Sequence, residues 1–169
     1  MKKTTLTLYL LLLIITLSLL FIVSNPPKEL KAKSVTKKYY NALIKEDYEE
    51  TFELVYLYDY TEDQHPMDGT VLNMEEAKVF YMQKIAYLKE QNYTVKVFEI
   101  QNSRYEDGHT FFLEILLTVE LDGERFEWAE TIDVQDGKVW VIAENDPFAK
   151  YRDGKLNFDI EKELQENGI

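Results

Sequence analysis

Two Asp-Gly dipeptides, at positions 122–123 and 136–137, constrain the fold of this 169-residue chain more than any other feature of its sequence. Each lies between segments in which apolar and polar residues alternate, and this arrangement is a strong signal for a two-residue β-hairpin turn. Taken independently, both turns place the apolar residues of their strands on the same face, so they specify one register. The second half of the chain is therefore predicted to be an antiparallel sheet with one apolar face.

The register that follows from the turns decides which residues share that face. It pairs the apolar residues across the strands as follows: Val119 with Phe126, Leu117 with Trp128, Leu113 with Ile132, Ile132 with Val141, and Val134 with Val139. It also places Glu130 on the apolar face, between Ile115 and Ala143. A preceding strand from Thr94 to Gln101 completes a four-stranded meander.

The first half of the chain has the apolar spacing of helices instead, and three helices are predicted there. Ser34 caps the first, while Asp47 and Asn73 begin capping boxes for the second and the third. Their apolar stripes are Val35, Tyr39, Ala42 and Leu43; Tyr48, Phe52 and Val55; and Ala77, Phe80, Tyr81, Ile85 and Leu88. Three helices followed by a sheet with one apolar face predict an α+β domain.

The chain begins with a segment of a different kind. After Lys2 and Lys3, residues 6–23 carry no charge and no proline, and a run of this length approaches the ~20 apolar residues of a membrane-spanning helix. A cleaved signal peptide has a shorter apolar run and a small-x-small cleavage site, and no Ala-x-Ala follows this run. We predict an uncleaved transmembrane anchor that contacts the membrane through residues 4–23, with a cleaved signal peptide as the alternative.

The predicted domain organisation follows from the two prolines at 26 and 27, which cannot continue the membrane helix. It comprises an anchor (1–24), a basic stalk (25–33), the α+β domain (34–147) and a C-terminal tail (148–169). Within the tail, Asp153-Gly154 predicts a short hairpin. The register places Trp140 on the outer face of the sheet, where either the tail or a second subunit is expected to cover it.

Charge is distributed unevenly along the chain. From Tyr39 to Ile169 there are 12 basic and 30 acidic side chains, a net charge of −18, which makes nucleic acid a poor partner. The stalk is basic, and we expect Lys28, Lys31 and Lys33 to contact anionic lipid headgroups. The chain contains no cysteine, which excludes disulfides, thiol nucleophiles and cysteine-ligated metals.

The orientation in the membrane is predicted from two opposing arguments. Lysines flank the apolar run on both sides, and a count of those in the stalk would keep the domain in the cytoplasm. Long domains, however, are translocated largely regardless of charge, and a Met-Lys-Lys start is typical of exported chains. We predict a single-pass cell-membrane protein with its domain on the extracytoplasmic side, and an intracellular regulator is the alternative.

The segment from Val35 to Leu54, VTKKYYNALIKEDYEETFEL, resembles the opening helix pair of nuclear-transport-factor-2-like domains, the cone fold that ketosteroid isomerases and polyketide cyclases share. The order of helix, helix, loop, helix and four strands is also similar, over residues 34–144. The resemblance implies three helices packed on a curved four-stranded antiparallel sheet, a conical pocket between them and, in many members, a homodimer formed through the sheet. Bacterial members with an N-terminal anchor, which serve envelope machines as accessory domains, have the most similar layout.

The implied pocket would be lined by the apolar face of the sheet and by the helices, through Leu113, Ile115, Trp128, Glu130, Ile132, Tyr39 and Tyr81. Glu130 is the one candidate catalytic residue, because apolar neighbours raise the pKa of a carboxyl group and suit it to acid–base catalysis. Two other roles stay open. The carboxylate could be buried and could orient a ligand or accept a hydrogen bond from a helix tyrosine, or it could be solvated at the mouth of the pocket.

Other acidic residues are not expected to form sites. Asp133 and Glu114 fall on the face opposite Glu130, so the acidic set that ketosteroid isomerases use is not assembled. The acidic loop from Asp59 to Leu72 contains His65 but lacks the spacing of a cation site, and we predict that it is solvated. No metal and no cofactor is predicted.

The predicted function is a non-enzymatic, membrane-anchored extracytoplasmic domain that binds an unknown protein or small ligand as an accessory of an envelope assembly. The alternative is a small pocket enzyme of the isomerase or cyclase kind that uses Glu130. The pocket distinguishes the two hypotheses. A closed polar cavity with Glu130 bonded to a tyrosine favours the enzyme, and a pocket filled by side chains favours the binding domain.

Overall fold

The computed structural model describes residues 11–16, 27–59, 65–106 and 110–160. The chain divides into two compact units, Met1–Lys31 and Ala32–Ile169. Residues 11–16 are helical, and no helix within the described ranges is long and apolar enough to cross a bilayer. The remainder of the predicted anchor lies outside the described residues.

Three helices precede the four-stranded sheet along the chain, as the sequence predicts. The helices of the first half are α1 (Lys28–Ile44), α2 (Tyr48–Leu54) and α3 (Met74–Glu90), with a short strand β1 (Tyr58–Asp59) and a 3-10 turn (Pro66–Asp68) between the last two. An antiparallel sheet follows in the order β2 (Tyr93–Glu106), β3 (Thr110–Leu121), β4 (Glu124–Gln135) and β5 (Lys138–Glu144). The chain continues into α4 (Ala149–Arg152) and β6 (Lys155–Leu156). The predicted mixed α+β fold with a four-stranded antiparallel sheet is confirmed.

Both Asp-Gly turns form where the sequence places them. Asp122 and Asp136 have φ values of 50°, and the glycines that follow also have positive φ, which is the backbone that such turns require. The β3–β4 pairing has the predicted register throughout. The β4–β5 pairing differs at one end, because a bulge between Thr131 and Ile132 sets Glu130 opposite Glu144 instead of Ala143.

The helix starts were predicted with mixed success. Asn73 and Glu76 form the expected capping box of α3, and the Asp47 side chain accepts a hydrogen bond from the Glu50 amide at the start of α2. The prediction that Ser34 caps α1 is wrong, since α1 begins at Lys28, directly after Pro27. The lysines, Glu29 and Leu30 of the stalk are good helix formers, and the Lys31 amide donates to the carbonyl oxygen of Pro27, so the helix extends back to that residue.

The predicted hairpin at Asp153-Gly154 is also wrong. Lys155 and Leu156 instead pair in parallel with Tyr58 and Asp59. Gly154 is needed for close packing, because a Cβ atom there would lie 1.7 Å from the carbonyl oxygen of Tyr56. An Asp-Gly dipeptide does not by itself reveal which of these two uses of glycine applies.

The core lies between the predicted apolar face of the sheet and the helices. Its sheet side is formed by buried residues on all four strands, among them Val95, Leu113, Ile115, Leu117, Val119, Ile132, Val139 and Val141. Phe148, Tyr151 and Leu156, from the predicted tail, belong to the same core. Trp140 lies against Tyr56 and Tyr58, with ring centroids 5.7 and 6.0 Å apart. The segment 148–156 is therefore packed inside the domain, and the chain before β2 contributes to the cover over Trp140.

Candidate functional site

Glu130 lies inside the domain, with only 2% of its surface exposed. It reaches this position because alternate residues of β4 point into the core and Glu130 shares that face with Ile132. Both carboxylate oxygens have partners. The Tyr40 hydroxyl donates a hydrogen bond of 2.6 Å to Oε2, and Nη2 of Arg152 donates to Oε1.

Arg152 is the centre of a buried polar cluster, which we define as Tyr40, Tyr93, Glu130, Asp146 and Arg152. Its side chain is completely buried. Nη2 also donates to Asp146 Oδ2 at 2.9 Å, and Nε donates to the Tyr93 hydroxyl at 2.9 Å. The Tyr93 hydroxyl in turn donates to Asp146 Oδ2 at 2.5 Å. One guanidinium group thus joins strand β4, the start of β2 and the segment that follows β5.

The backbone around Arg152 is fixed by side chains from the helices. The hydroxyls of Tyr39 and Tyr81 both donate to the carbonyl oxygen of Arg152, at 3.0 and 3.2 Å. Lys84 is fully buried, and its ammonium group donates to the carbonyl oxygens of Asp153 and Lys155 at 2.8 and 2.6 Å. It also lies 3.4 Å from Asp153 Oδ1. These bonds hold the segment 152–155 against α1 and α3.

The electrostatics of the cluster favour the charged form of Arg152. Burial alone disfavours that form, but the neighbouring Glu130, Tyr93 and Asp146 outweigh it and hold the pKa of Arg152 well above its ordinary value. The pKa of Glu130 is raised above its ordinary value by burial, because the positive charge of Arg152 and the hydrogen bonds from Arg152 and Tyr40 only partly offset it. Burial likewise raises the pKa of Tyr40 and Tyr93, so both phenols stay protonated as donors.

Most of the residues that were expected to line a pocket lie together in the structure, but they pack against other side chains. Leu113, Ile115, Ile132, Tyr39 and Tyr81 are each at most 1% exposed. Trp128 is half-buried and stacks beside Phe126, with ring centroids 6.2 Å apart. Arg152 lies on this interior side, where its guanidinium group donates to Glu130 and its backbone carbonyl oxygen accepts from the hydroxyls of Tyr39 and Tyr81. Glu130 therefore has its tyrosine partner and, beside it, a guanidinium group.

Two residues of the predicted acidic loop, Asp59 and His65, have structural partners. Asp59 is buried and accepts hydrogen bonds from the Thr70 hydroxyl at 2.6 Å and the Val71 amide at 3.0 Å. His65 Nδ1 accepts from the Met67 amide, which caps the 3-10 turn. Asp59 therefore stabilises its loop from inside, in contrast to the solvated role predicted for it, while residues 60–64 lie outside the described part of the chain.

Sequence reasoning missed the cations of this site. Lys84 follows Tyr81 by three residues and precedes Leu88 by four, which puts it on the buried face of α3. That spacing was a usable signal. The sequence signal for Arg152 is weaker, because Arg152 follows Phe148 and Tyr151 in the segment that is predicted to be a separate tail. A buried carboxylate at Glu130 requires a partner, and the sequence does not say which of the chain's basic residues provides it.

No protein-family model and no curated protein matches this chain. Among solved structures, the chain is similar to one described as a putative polyketide cyclase from Xanthomonas campestris pv. campestris. The two chains are 12% identical, the match covers 64% of this chain and 84% of that chain, and the TM-score is 0.39. A similarity at this level assigns neither a site nor an activity.

Replacing Glu130 with Gln is expected to lower the free energy of unfolding by about 3–5 kcal/mol, the cost typical of removing one partner of a buried ion pair. Gln keeps the shape of the side chain and one acceptor oxygen, so the loss reports the charge. Denaturant unfolding measures it. Glu127→Gln, at an exposed position of the same strand, is the matched control and is expected to stay within about 0.5 kcal/mol of wild type. Unchanged stability of Glu130→Gln would contradict the pairing with Arg152.

The burial of Lys84 leads us to expect that the free energy of unfolding rises at alkaline pH. Burial lowers the pKa of Lys84 from 10.5 to about 8, so between these values the unfolded chain holds a proton that the folded chain has released. The free energy of unfolding then increases with pH. We expect the stability of wild type relative to Lys84→Met to rise between about pH 8 and pH 10.5, because all other titrating groups are common to both. A difference that is independent of pH would refute the lowered pKa.

Proposed function

We propose that this chain is a non-enzymatic binding domain that its N-terminal segment holds at the extracytoplasmic face of a cell membrane. In this proposal the domain contacts a protein or a small ligand through its exterior and acts as an accessory of an envelope assembly. The observation that carries the non-enzymatic part is the complete engagement of the Glu130 carboxylate by Arg152 and Tyr40. Glu130 forms an ion pair, whereas the alternative, a pocket enzyme that uses Glu130, would need a carboxylate that can exchange a proton with a substrate.

Acid–base catalysis requires a group that can reach the proton it transfers. Glu130 is 2% exposed, and Arg152 and Tyr40 are completely buried beside it. The hydrogen bond from Tyr40 was expected for the enzyme, but that expectation also required a polar cavity next to the carboxylate. Glu130 helps to line a cavity together with Ile115 and Ala129, but its carboxylate is paired with the side chain of Arg152, and this pairing supports the binding domain over the pocket enzyme.

Membrane attachment is supported by residues 11–16. The five apolar side chains from Leu11 to Ile15 are 51–59% exposed, and a contiguous exposed apolar run is typical of a segment that contacts lipid or protein. The Thr16 hydroxyl donates to the carbonyl oxygens of Leu12 and Leu13 at 2.9 Å. A polar group satisfied within its own helix is compatible with a hydrocarbon environment. Lys28 and Lys31 are exposed, as contact with anionic headgroups requires.

Carbodiimide coupling of an amine to carboxylates in the native full-length protein tests the non-enzymatic role. We expect Glu130 to stay unmodified, because its carboxylate is buried and paired, while Glu127 on the same strand is modified. Peptide mass spectrometry reads both positions in one sample. Modification of Glu130 at the rate of Glu127 would mean that reagents enter the interior, and it would favour the pocket enzyme.

Single-cysteine variants test the location, since the chain has no cysteine of its own. In intact cells, an impermeant maleimide is expected to label Glu124→Cys, at an exposed turn position, and to spare Lys3→Cys until the cells are lysed. Both proteins should fractionate with membranes. Labelling of Lys3→Cys alone would place the domain inside the cell, and release of the domain into the medium would indicate that the anchor is cleaved.

A further inference from the structure

The groups around the Arg152 side chain come from parts of the fold that lie outside the segment 148–156. Tyr40 belongs to α1, Tyr93 begins β2, Glu130 lies on β4, and Asp146 follows β5. We call these four residues the receptor groups. Each of them is at most 3% exposed, so the receptor groups and the guanidinium group share an interior from which bulk water is excluded.

The receptor groups bind two of the three guanidinium nitrogens of Arg152, and within the described part of the chain the third, Nη1, has no hydrogen-bond partner. Nη2 of Arg152 donates to one oxygen of Glu130 and, at 2.9 Å, to one oxygen of Asp146. Nε donates to the Tyr93 hydroxyl. The tyrosines also donate to the carboxylates, Tyr40 to Glu130 and Tyr93 to Asp146, which orients the acceptor oxygens. Two oriented carboxylates thus accept from Nη2 and a phenol oxygen accepts from Nε, and these are contacts that the planar, multi-donor guanidinium group can make and a single ammonium nitrogen cannot reproduce in the same directions.

The same interior treats an ammonium group differently. Lys84 is also fully buried, but two of its hydrogen bonds go to the backbone carbonyls of Asp153 and Lys155. Its carboxylate neighbour, Asp153, lies at the longer distance of 3.4 Å. The two buried cations of this site thus have different acceptors. The compact ammonium group lies among carbonyl oxygens, and the planar guanidinium group lies between two carboxylates.

We infer that the interior of this domain is a binding site for a guanidinium group, which the chain fills with its own Arg152, and that a guanidinium compound supplied in solution binds there when that side chain is removed. The inference is independent of the proposed function, because it concerns only the interior and requires neither membrane attachment nor an external partner.

The test uses the full-length Arg152→Ala protein and N-ethylguanidinium, which corresponds to the atoms that this substitution removes. Millimolar N-ethylguanidinium is expected to raise the Tm with the logarithmic concentration dependence of one-site binding, by about 3–5 °C at a tenfold excess over its Kd. Ethylammonium at the same concentration and ionic strength should leave the Tm unchanged, because it lacks the planar fork. An absent response to N-ethylguanidinium, or an equal response to both compounds, would overturn the inference.

Two controls locate the effect. Wild type should not respond, since Arg152 already fills the site, and Glu130→Gln combined with Arg152→Ala should lose at least tenfold in affinity. An undiminished response in the double variant would show that the compound binds elsewhere and would also overturn the inference.

A measurement on wild type keeps the inference testable should Arg152→Ala fail to fold. In nitrogen-15 NMR spectra, the Nε–H proton of Arg152 is expected to exchange with water at least 100-fold more slowly than that of Arg125, whose side chain is 72% exposed. Equal exchange rates for Arg152 and Arg125 would show that the guanidinium group is not held by the receptor groups.

Discussion

The ion pairs that Arg152 makes with Glu130 and Asp146 are the interaction on which the rest of this structure depends. Two carboxylates on the core side of a sheet would each cost several kcal/mol if left without a counter-charge. One guanidinium group from the segment 148–156 compensates both, and Tyr40 and Tyr93 complete their hydrogen bonds. Helix, sheet and C-terminal segment are therefore joined through one cluster, in which the loss of either charged partner leaves the other buried and unpaired.

This arrangement bears directly on function. A side chain that is paired, hydrogen-bonded and enclosed is poorly suited to transfer protons to a substrate, whatever the shape of the fold around it. Glu130 stands out in the sequence because it interrupts an apolar face. Its ion pair with Arg152 accounts for a carboxylate at this position without a catalytic role. In the proposals for this protein, the pairing with Arg152 and Tyr40 keeps Glu130 from transferring protons, and Glu130 together with the other receptor groups binds a guanidinium group.

Local signals predicted the regular parts of the fold well. The Asp-Gly turns at 122–123 and 136–137 need only a positive φ, and the alternating strands beside them fix their own register. Signals with more than one physical meaning failed. Gly154 serves close packing against Tyr56 instead of a turn, and Ser34 lies within a helix that the good helix formers of the stalk extend to Pro27. The bulge beside Ile132 could not be predicted, because the alternation of apolar and polar residues does not change there.

The sequence by itself determined that Glu130 shares the apolar face of the sheet, because a strand between two tight turns leaves each side chain only two faces to occupy. It also determined the order of helices and strands, through the period of the apolar residues. Only the tertiary structure decided what Glu130 does. Its partner Arg152 is 22 residues away along the chain, and a contact over that distance is specified by the packing of the whole core. No local pattern records which cation will be enclosed beside which carboxylate.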